Sequence, residues 1–274
     1  MGPAAAWIER DVVDAVGDEA TTYLQGQLSQ DIAALAKGAS AWSLLLEPNG
    51  KVTAWLRVTR TGADAFVLDV DSGAGELVVA RLERFKLRTR CTFTLREHQP
   101  VLAVRGSVLG DGGGAPIAWP ETEGYDLMGP SATVPDGAEM LDAQAYEALR
   151  IEHGVPVSAV DITTETIPAE AGGWLIEASV SFTKGCYTGQ ELVARVDSRG
   201  SNVPRPLRRL RVEGPDADLL GATVSTTEGV AVGRVSSAAY SVATRTAVAL
   251  APIGRALAVP GPVLVAGREA TALP

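Results

Sequence analysis

Residues 184–191 read Lys184-Gly185-Cys186-Tyr187-Thr188-Gly189-Gln190-Glu191, a turn-forming stretch set between two apolar runs. Leu175 to Phe182 reads as a buried strand leading in, and Leu192 to Val196 as a second strand leading out. Two glycines four residues apart allow positive φ and let another segment approach the backbone closely. Between them lies Cys186, one of only two cysteines in 274 residues. A thiol on a glycine-flanked turn next to Lys184 is a candidate for an exposed thiol of lowered pKa. The same spacing also fits a plain turn whose Cys186 and Tyr187 fill a gap in the core, because free cysteine is usually buried and inert.

Working outward, the composition is that of a core-forming chain. Hydrophobic residues make up 46% and charged residues 21%, which excludes a disordered chain. The length suits one large domain or two to three small ones. No apolar run reaches the roughly 18 residues that span a bilayer. The opening MGPAAAWIERDVVD meets acids within nine residues and reads as no signal peptide. Two distant cysteines, Cys91 and Cys186, point to a reducing, cytoplasmic setting. The net charge of −9 is uneven: residues 201–274 carry +3 and the remainder −12. That balance argues against long-range attraction to nucleic acid.

Before the central stretch, residues 7–16 read as a strand. Asp18 is placed to cap a helix through Gln25, and Ser29 a second one with Asp31 in its first turn. Residues 40–46 form an apolar strand, and Asn49-Gly50 suits a type I′ hairpin into an alternating strand at 51–59. A strand at 64–70 and a helix from about Gly75 to Lys86 follow. Residues 91–96 and 100–105 read as two short strands, with Cys91 buried at the start of the first. Gly112-Gly113-Gly114 lacks the Lys-Ser/Thr of a phosphate-binding loop. Asp142 caps a helix that Gly154 stops. Residues 155–173 form a long irregular loop, and 198–206 a Pro-containing linker. Short Val-rich segments at 207–212, 222–225, 230–236, 246–252 and 262–265 predict an all-β domain, a barrel or jelly roll. His98 and His153 stand apart with no Cys/His cluster, so no metal site is expected.

The central octapeptide resembles the signature of the YgfZ family, folate-binding relatives of the glycine-cleavage T-protein aminomethyltransferase. The likeness extends through Phe182 to Glu191 and covers most of the chain. Residues 23–31, Tyr-Leu-Gln-Gly-Gln-Leu-Ser-Gln-Asp, resemble the family's FLQGQ segment. Arg150, Glu152, Gly154 and Pro156 match an R-x-E-x-G-x-P pattern, and Pro168-Ala169-Glu170 a P-x-E pattern. The resemblance implies an α+β, multi-domain T-protein-like fold, with two ferredoxin-like α+β domains and a C-terminal β-barrel around a central cavity. The implied division is 1–46 with 115–200 as the folate-binding domain, 47–114 as an insertion, and 201–274 as the barrel.

It further implies a tetrahydrofolate ligand. By that likeness Glu170 grips the pterin, as a carboxylate accepting two N–H groups. Tyr187, Gln190, Arg150, Arg195 and Arg199 are the expected companions that shape the cavity or meet the folate tail. Cys186 is the implied reactive thiol, with Lys184 as its electrostatic tuner. The T-protein branch uses an aspartate after an early strand, where this chain has Thr53 and Ala54. Aminomethyl transfer is therefore in doubt. The resemblance implies support of iron–sulfur cluster assembly or repair in client enzymes, among them radical enzymes that modify tRNA. Two rival readings are a folate-dependent one-carbon transferase and an RNA-binding tRNA-modification module. The second would use basic residues 81–90 with Arg205, Arg208, Arg209 and Arg211. Expected partners are folate and iron–sulfur enzymes or their assembly factors, without direct nucleic-acid or membrane contact.

Overall fold

The apolar stretch at residues 40–46 is a strand with both faces covered, and the molecule builds on it. In the computed structural model, residues 2–108, 113–198, 203–214 and 218–274 are described, with side chains of the last helix only as far as Ala194. In chain order come β1 (Ala4–Val16), α1 (Ala20–Gln27), β2 (Ser40–Leu46), β3 (Val52–Arg60), β4 (Ala65–Asp71), α2 (Gly75–Phe85) and β5 (Thr92–Arg105). The short strands β6 (Ala115–Pro116), β7 (Gly124–Met128) and β8 (Glu139–Met140) precede α3 (Ala143–Glu152). A 3-10 turn, Pro168–Glu170, leads to α4 (Gly173–Ser179) and α5 (Gln190–Ser198). The C-terminal strands are β9 (Leu207–Val212), β10 (Thr223–Ser225), β11 (Ala231–Arg234), β12 (Ser237–Ser241), β13 (Thr246–Pro252), β14 (Gly261–Val265) and β15 (Arg268–Leu273).

The first sheet runs β2-β3-β4-β1-β5-β7-β6, antiparallel along this path, with β8 added parallel to the start of β1. One face packs on α1 and α2 through Leu24, Leu45, Leu56, Val78 and Leu82. The other meets the 155–193 region through Trp42, Leu44, Leu46, Trp55, Leu175 and Val193. Coverage on both faces is why Ser40–Leu46 is apolar almost throughout and not alternating. The second sheet runs β11-β10-β14-β15-β9-β13-β12 around its own core of Leu210, Val212, Val224, Ala249 and Val265. A bridge from Gly233 to Ile253 curls it back on itself. Helix α3 seats Ala148 and Ile151 against Val248 and Leu250 of this sheet, joining the two halves. Among the described residues no helix is long and apolar enough to cross a membrane.

Several local expectations change. The runs before and after the octapeptide are the helices α4 and α5, not strands. In α4 the buried residues are Leu175, Ile176 and Ser179, a one-sided helical spacing that Glu177 would break as a strand. Ser29 caps no helix. Its hydroxyl bonds to Ser179 O at 2.7 Å and receives Leu44 N at 2.8 Å, while Gln25 Oε1 takes the N–H groups of Ile32 and Ala33. The first helix starts after Glu19 with no side-chain cap, and Gly26 lies inside it. Asn49-Gly50 is not a type I′ turn, because only Gly50 has positive φ (83°). Glu47 N to Lys51 O and Gly50 N to Glu47 O, each 2.8 Å, close a three-residue loop with glycine at its left-handed position. Residues 92–105 form one long strand through His98, whose φ of 52° sits at the bend.

Candidate functional site

The octapeptide is docked onto the C-terminal end of α1. An α-helix leaves its last carbonyls without partners, and α1 has no basic residue in its last turn to meet them. The cation arrives from Lys184 instead. Its Nζ donates to Gln25 O and Leu28 O at 2.6 Å each and to Gln30 O at 2.9 Å. Thr188 N adds a bond to Gly26 O at 3.0 Å. Burial pushes the Lys184 ammonium down to about 8, with Asp31 opposing. All three hydrogens are spent on carbonyls, so Lys184 offers none to a thiolate at Cys186.

The two glycines divide in role. Gly189 has φ of 84°, and a Cβ there would lie 2.6 Å from Glu47 O and 2.8 Å from Leu46 Cβ. Gly50 interlocks with it, since a Cβ on Gly50 would stand 3.1 Å from Gly189 O, as well as 2.3 Å from Leu192 Cβ. Around Gly185 nothing lies within 4 Å of the corresponding point. Gln190 Oε1 receives Tyr187 N at 3.1 Å, and the Tyr187 ring lies 5.2 Å from Lys184 Nζ, with burial raising its hydroxyl to about 12. Lys184, Tyr187 and Gln190 line a 320 Å³ hollow with the exposed Phe182. Cys186 is free and exposed. Cys91 is buried, which pushes its thiol up.

Glu170 belongs to a different and larger cavity, of 540 Å³, between the 3-10 turn, α4 and the start of β9. Its carboxylate is buried on the wall. Oε2 receives Ile167 N at 3.2 Å and Oε1 receives Arg205 N at 3.0 Å. Each oxygen thus keeps one acceptor position. Trp174, His153, Arg208 and Arg209 line the same space. Arg209 is spoken for, donating to Glu152 O at 2.8 Å and Pro274 O at 3.0 Å. The half-buried Arg208 has no hydrogen-bond or ion-pair partner among the described residues, and burial lowers its pKa. His153 Nδ1 is 2.9 Å from Pro120 O.

Arg150 does not reach that cavity. It is buried and bonds to Val155 O at 2.8 Å, Asp161 at 3.0 Å, Ser237 at 2.7 Å and the Glu147 carboxylate, locking α3 to the following loop and to β12. Arg199 and the side chain of Arg195 lie outside the described residues. Thr53 Oγ1 is bound to Glu47 Oε1 at 3.2 Å and Ala54 sits in the α1–α2 core, so neither supplies an acid. The basic stretch 81–90 is dispersed: Arg81 is buried on Leu46 O and Gln27, Lys86 pairs with Glu83, and Arg90 lies near Asp18 and Glu19. Among the described residues no cluster of three His, Cys, Asp or Glu suits a metal.

Sequence reasoning passed over a buried charge network under β1. Arg57 bonds both Asp69 oxygens at 3.0 Å and Asp126 at 2.9 Å. Arg10 joins Asp69 at 2.6 Å to Asp71 at 2.9 Å. Arg105 meets Asp126 at 2.9 Å and Tyr146 at 2.7 Å. Burial works against the Asp126 carboxylate, but Arg105, Arg57 and Arg10 hold it down at about 2.

Two sheets in this arrangement define a protein of the aminomethyltransferase T fold. The solved structure of glycine cleavage system aminomethyltransferase T from Bartonella henselae matches with a TM-score of 0.76, covering 99% of this chain and 85% of that one at 19% identity. No family model matches the chain. A Haemophilus influenzae protein, named only as uncharacterized, is 30% identical over 192 residues, 70% of this chain and 67% of that protein. The tRNA-modifying protein YgfZ of Photorhabdus laumondii is 30% identical over 216 residues, 70% of this chain and 65% of its own length. That of Escherichia coli K12 is 27% identical over 214 residues, 68% of this chain and 65% of its own. The chain belongs to the YgfZ family, and the matches span about two thirds of the length of these relatives.

Proposed function

We propose that this protein binds tetrahydrofolate in the 540 Å³ cavity and supports the assembly or repair of iron–sulfur clusters in client enzymes, including enzymes that modify tRNA. The observation that carries this reading is the pairing of a buried carboxylate, Glu170, with an uncompensated guanidinium, Arg208, on the walls of one cavity. A pterin presents an edge of two N–H donors, and the two open acceptor positions on Glu170 suit it. A folate tail carries carboxylates, and Arg208 is a cation in want of one. The cavity volume lies in the usual range for a cofactor of this size. Bound folate would supply a one-carbon carrier or a reductant at that place.

Cys186 is the reactive thiol in this reading, exposed and reachable by a partner protein. A cluster is usually held by four thiolates, so client or carrier provides the other ligands to the cargo. Lys184 positions the turn that carries Cys186. The protein acts in the cytoplasm, where thiols stay reduced.

The test is calorimetric titration of the reduced protein with tetrahydrofolate under anaerobic conditions, with Glu170→Ala and Arg208→Ala beside it. Micromolar binding, weakened at least about tenfold by either change, is expected. Melting curves of both variants separate a lost ligand from a lost fold. No binding by the wild-type protein would overturn the proposal.

A further inference from the structure

His153 lines the 540 Å³ cavity and plays no part in the contacts proposed above. It closes α3: its N–H bonds Leu149 O at 3.2 Å, and Gly154, with φ of 69°, turns the chain away. Its ring stands 5.9 Å from the Trp119 ring, and Nδ1 is 2.9 Å from Pro120 O. A carbonyl can only accept, so Nδ1 carries the hydrogen and donates it. In the neutral ring the other nitrogen, Nε2, is then an acceptor with a free lone pair. Nε2 has no partner among the described residues, and unlike Arg81 Nε and Arg105 Nε it is not sealed from solvent. Sequence spacing gives no hint of this role, since His153 fills an open position of the R-x-E-x-G-x-P pattern.

The neighbouring groups decide what this lone pair can meet. Arg209 is held by Glu152 O and Pro274 O, and Arg255 is not free either. Glu121, also on the wall, is exposed to water. In the proposed reading Glu170 takes the two N–H groups of the pterin edge, and Arg208 takes a tail carboxylate. His153 Nε2 suits a further N–H on the ligand. It opposes an acceptor placed at the same point, because two lone pairs would face each other with neither hydrogen-bonded. The oxidation states of a pterin differ in this respect. The tetrahydro ring carries N–H groups at N5 and N8, whereas the oxidised ring has bare acceptor nitrogens at both. The 2-amino edge suited to Glu170 is the same in the two.

We infer that His153 sets the oxidation-state preference of the cavity: its Nε2 accepts from a ring N–H of a reduced folate and disfavours the oxidised ring. The inference rests on the folate reading of this cavity. It makes His153 a specificity-determining residue and gives it no step in a reaction.

The test is anaerobic calorimetry with tetrahydrofolate and, separately, with folic acid, weak folic acid binding being read by competition. The proteins are wild type, His153→Phe, His153→Leu and Glu170→Ala, each with its melting curve. Phenylalanine keeps a ring beside Trp119 and leucine a smaller apolar side chain, and both remove the lone pair, so either variant suffices if the other fails to fold. The wild-type protein should prefer tetrahydrofolate by at least about tenfold. Each His153 variant should weaken tetrahydrofolate about five- to tenfold and leave folic acid as it was or tighter, so that the preference collapses. Glu170→Ala should weaken both ligands by the same factor and keep the preference. A His153 variant that loses both ligands alike, or a preference that is absent in wild type or unchanged in the variants, overturns the inference while the folate reading stands. Binding of neither ligand by the wild-type protein overturns both.

Discussion

Replacing Lys184 by methionine separates two roles for this residue, a clamp on the fold or a charge acting on Cys186. Methionine keeps an unbranched apolar stem and removes the ammonium. Three carbonyls, Gln25 O, Leu28 O and Gln30 O, then lose donors at 2.6–2.9 Å. Hydrogen bonds to a charged group contribute about 1.5–3 kcal/mol each, which for three gives an upper range well above 4 kcal/mol. Two effects reduce it: the site is half-buried, so water re-solvates the bared carbonyls, and burial of the ammonium itself carries a cost. A net loss of about 2–3 kcal/mol at pH 7 is expected, measured as a shift of the urea midpoint at unchanged slope. The pH dependence has a definite sign. Burial sets the folded-state value at about 8, below the ordinary 10.5. Between those values the unfolded chain keeps a proton that the folded protein has released, so wild-type stability rises relative to the variant from pH 8 to 10.5. The Cys186 thiol should titrate with a disulfide reagent at nearly the same rate in both proteins, once folded fractions are matched. A variant as stable as wild type, within about 0.5 kcal/mol, but with a much slower thiol would refute the clamp and restore the tuner.

Further outcomes follow from the same geometry. Gly189→Ala should cost about 2–4 kcal/mol, because its Cβ would strike Glu47 O and Leu46 at positive φ, whereas Gly185→Ala should stay within about 0.5 kcal/mol; thermal melts of the pair check this. Asp126→Asn should destabilise by about 3–5 kcal/mol by leaving Arg57 and Arg105 partly unpaired. The Asp126 contribution in the wild-type protein is present above its ordinary value of 3.8 and is lost as pH falls through about 2, which acid unfolding of the two proteins will read. One thiol, Cys186, should react rapidly in the native protein and two in urea, with Cys186→Ser abolishing the rapid one.

Much of the fold was legible because burial writes itself into local pattern. The strands at 40–46, 207–212 and 246–252 lie where the sequence places them, as does the Asp142 cap, which receives Ala145 N at 2.8 Å. The runs flanking the octapeptide were not legible as helices, since five to eight apolar residues fit either period. Strands β12 and β15 escaped because SAAYS and REATAL carry little apolar signal of their own and are held by pairing with β13, β14 and β9. The charge network was illegible for another reason. Its members run from Arg10 to Asp126, and only the sheet order β3-β4-β1-β5-β7 brings them together. The one local trace is a charge within otherwise buried strands, Arg57 in VTAWLRVTR and Asp69 in AFVLDVD. Arg208 was grouped with a basic cluster on sequence, and only the backbone of β9 turns it toward the Glu170 cavity.

The octapeptide itself yields an argument about where function lies. Lys184 and Thr188 complete the end of α1, Gly189 admits the β2–β3 loop, and Gln190 ties back to Tyr187 N. Tyr187 packs against the core shared with Trp42 and Trp55, and Glu191 lies in the first turn of α5, where a negative charge is favoured. Packing and hydrogen bonding therefore account for six of the eight residues. Gly185 and Cys186 are left. Gly185 has open space where a side chain would stand, and Cys186 is exposed with no hydrogen-bond partner among the described residues. A core-filling role for Cys186 is excluded by its exposure. A small residue beside an exposed thiol leaves the sulfur open to attack from that side. If so, Gly185→Val should leave melting temperature unchanged while slowing reaction of Cys186 with a bulky disulfide more than with a small one. Equal slowing of both reagents would mean that the glycine serves the turn and not access to the sulfur.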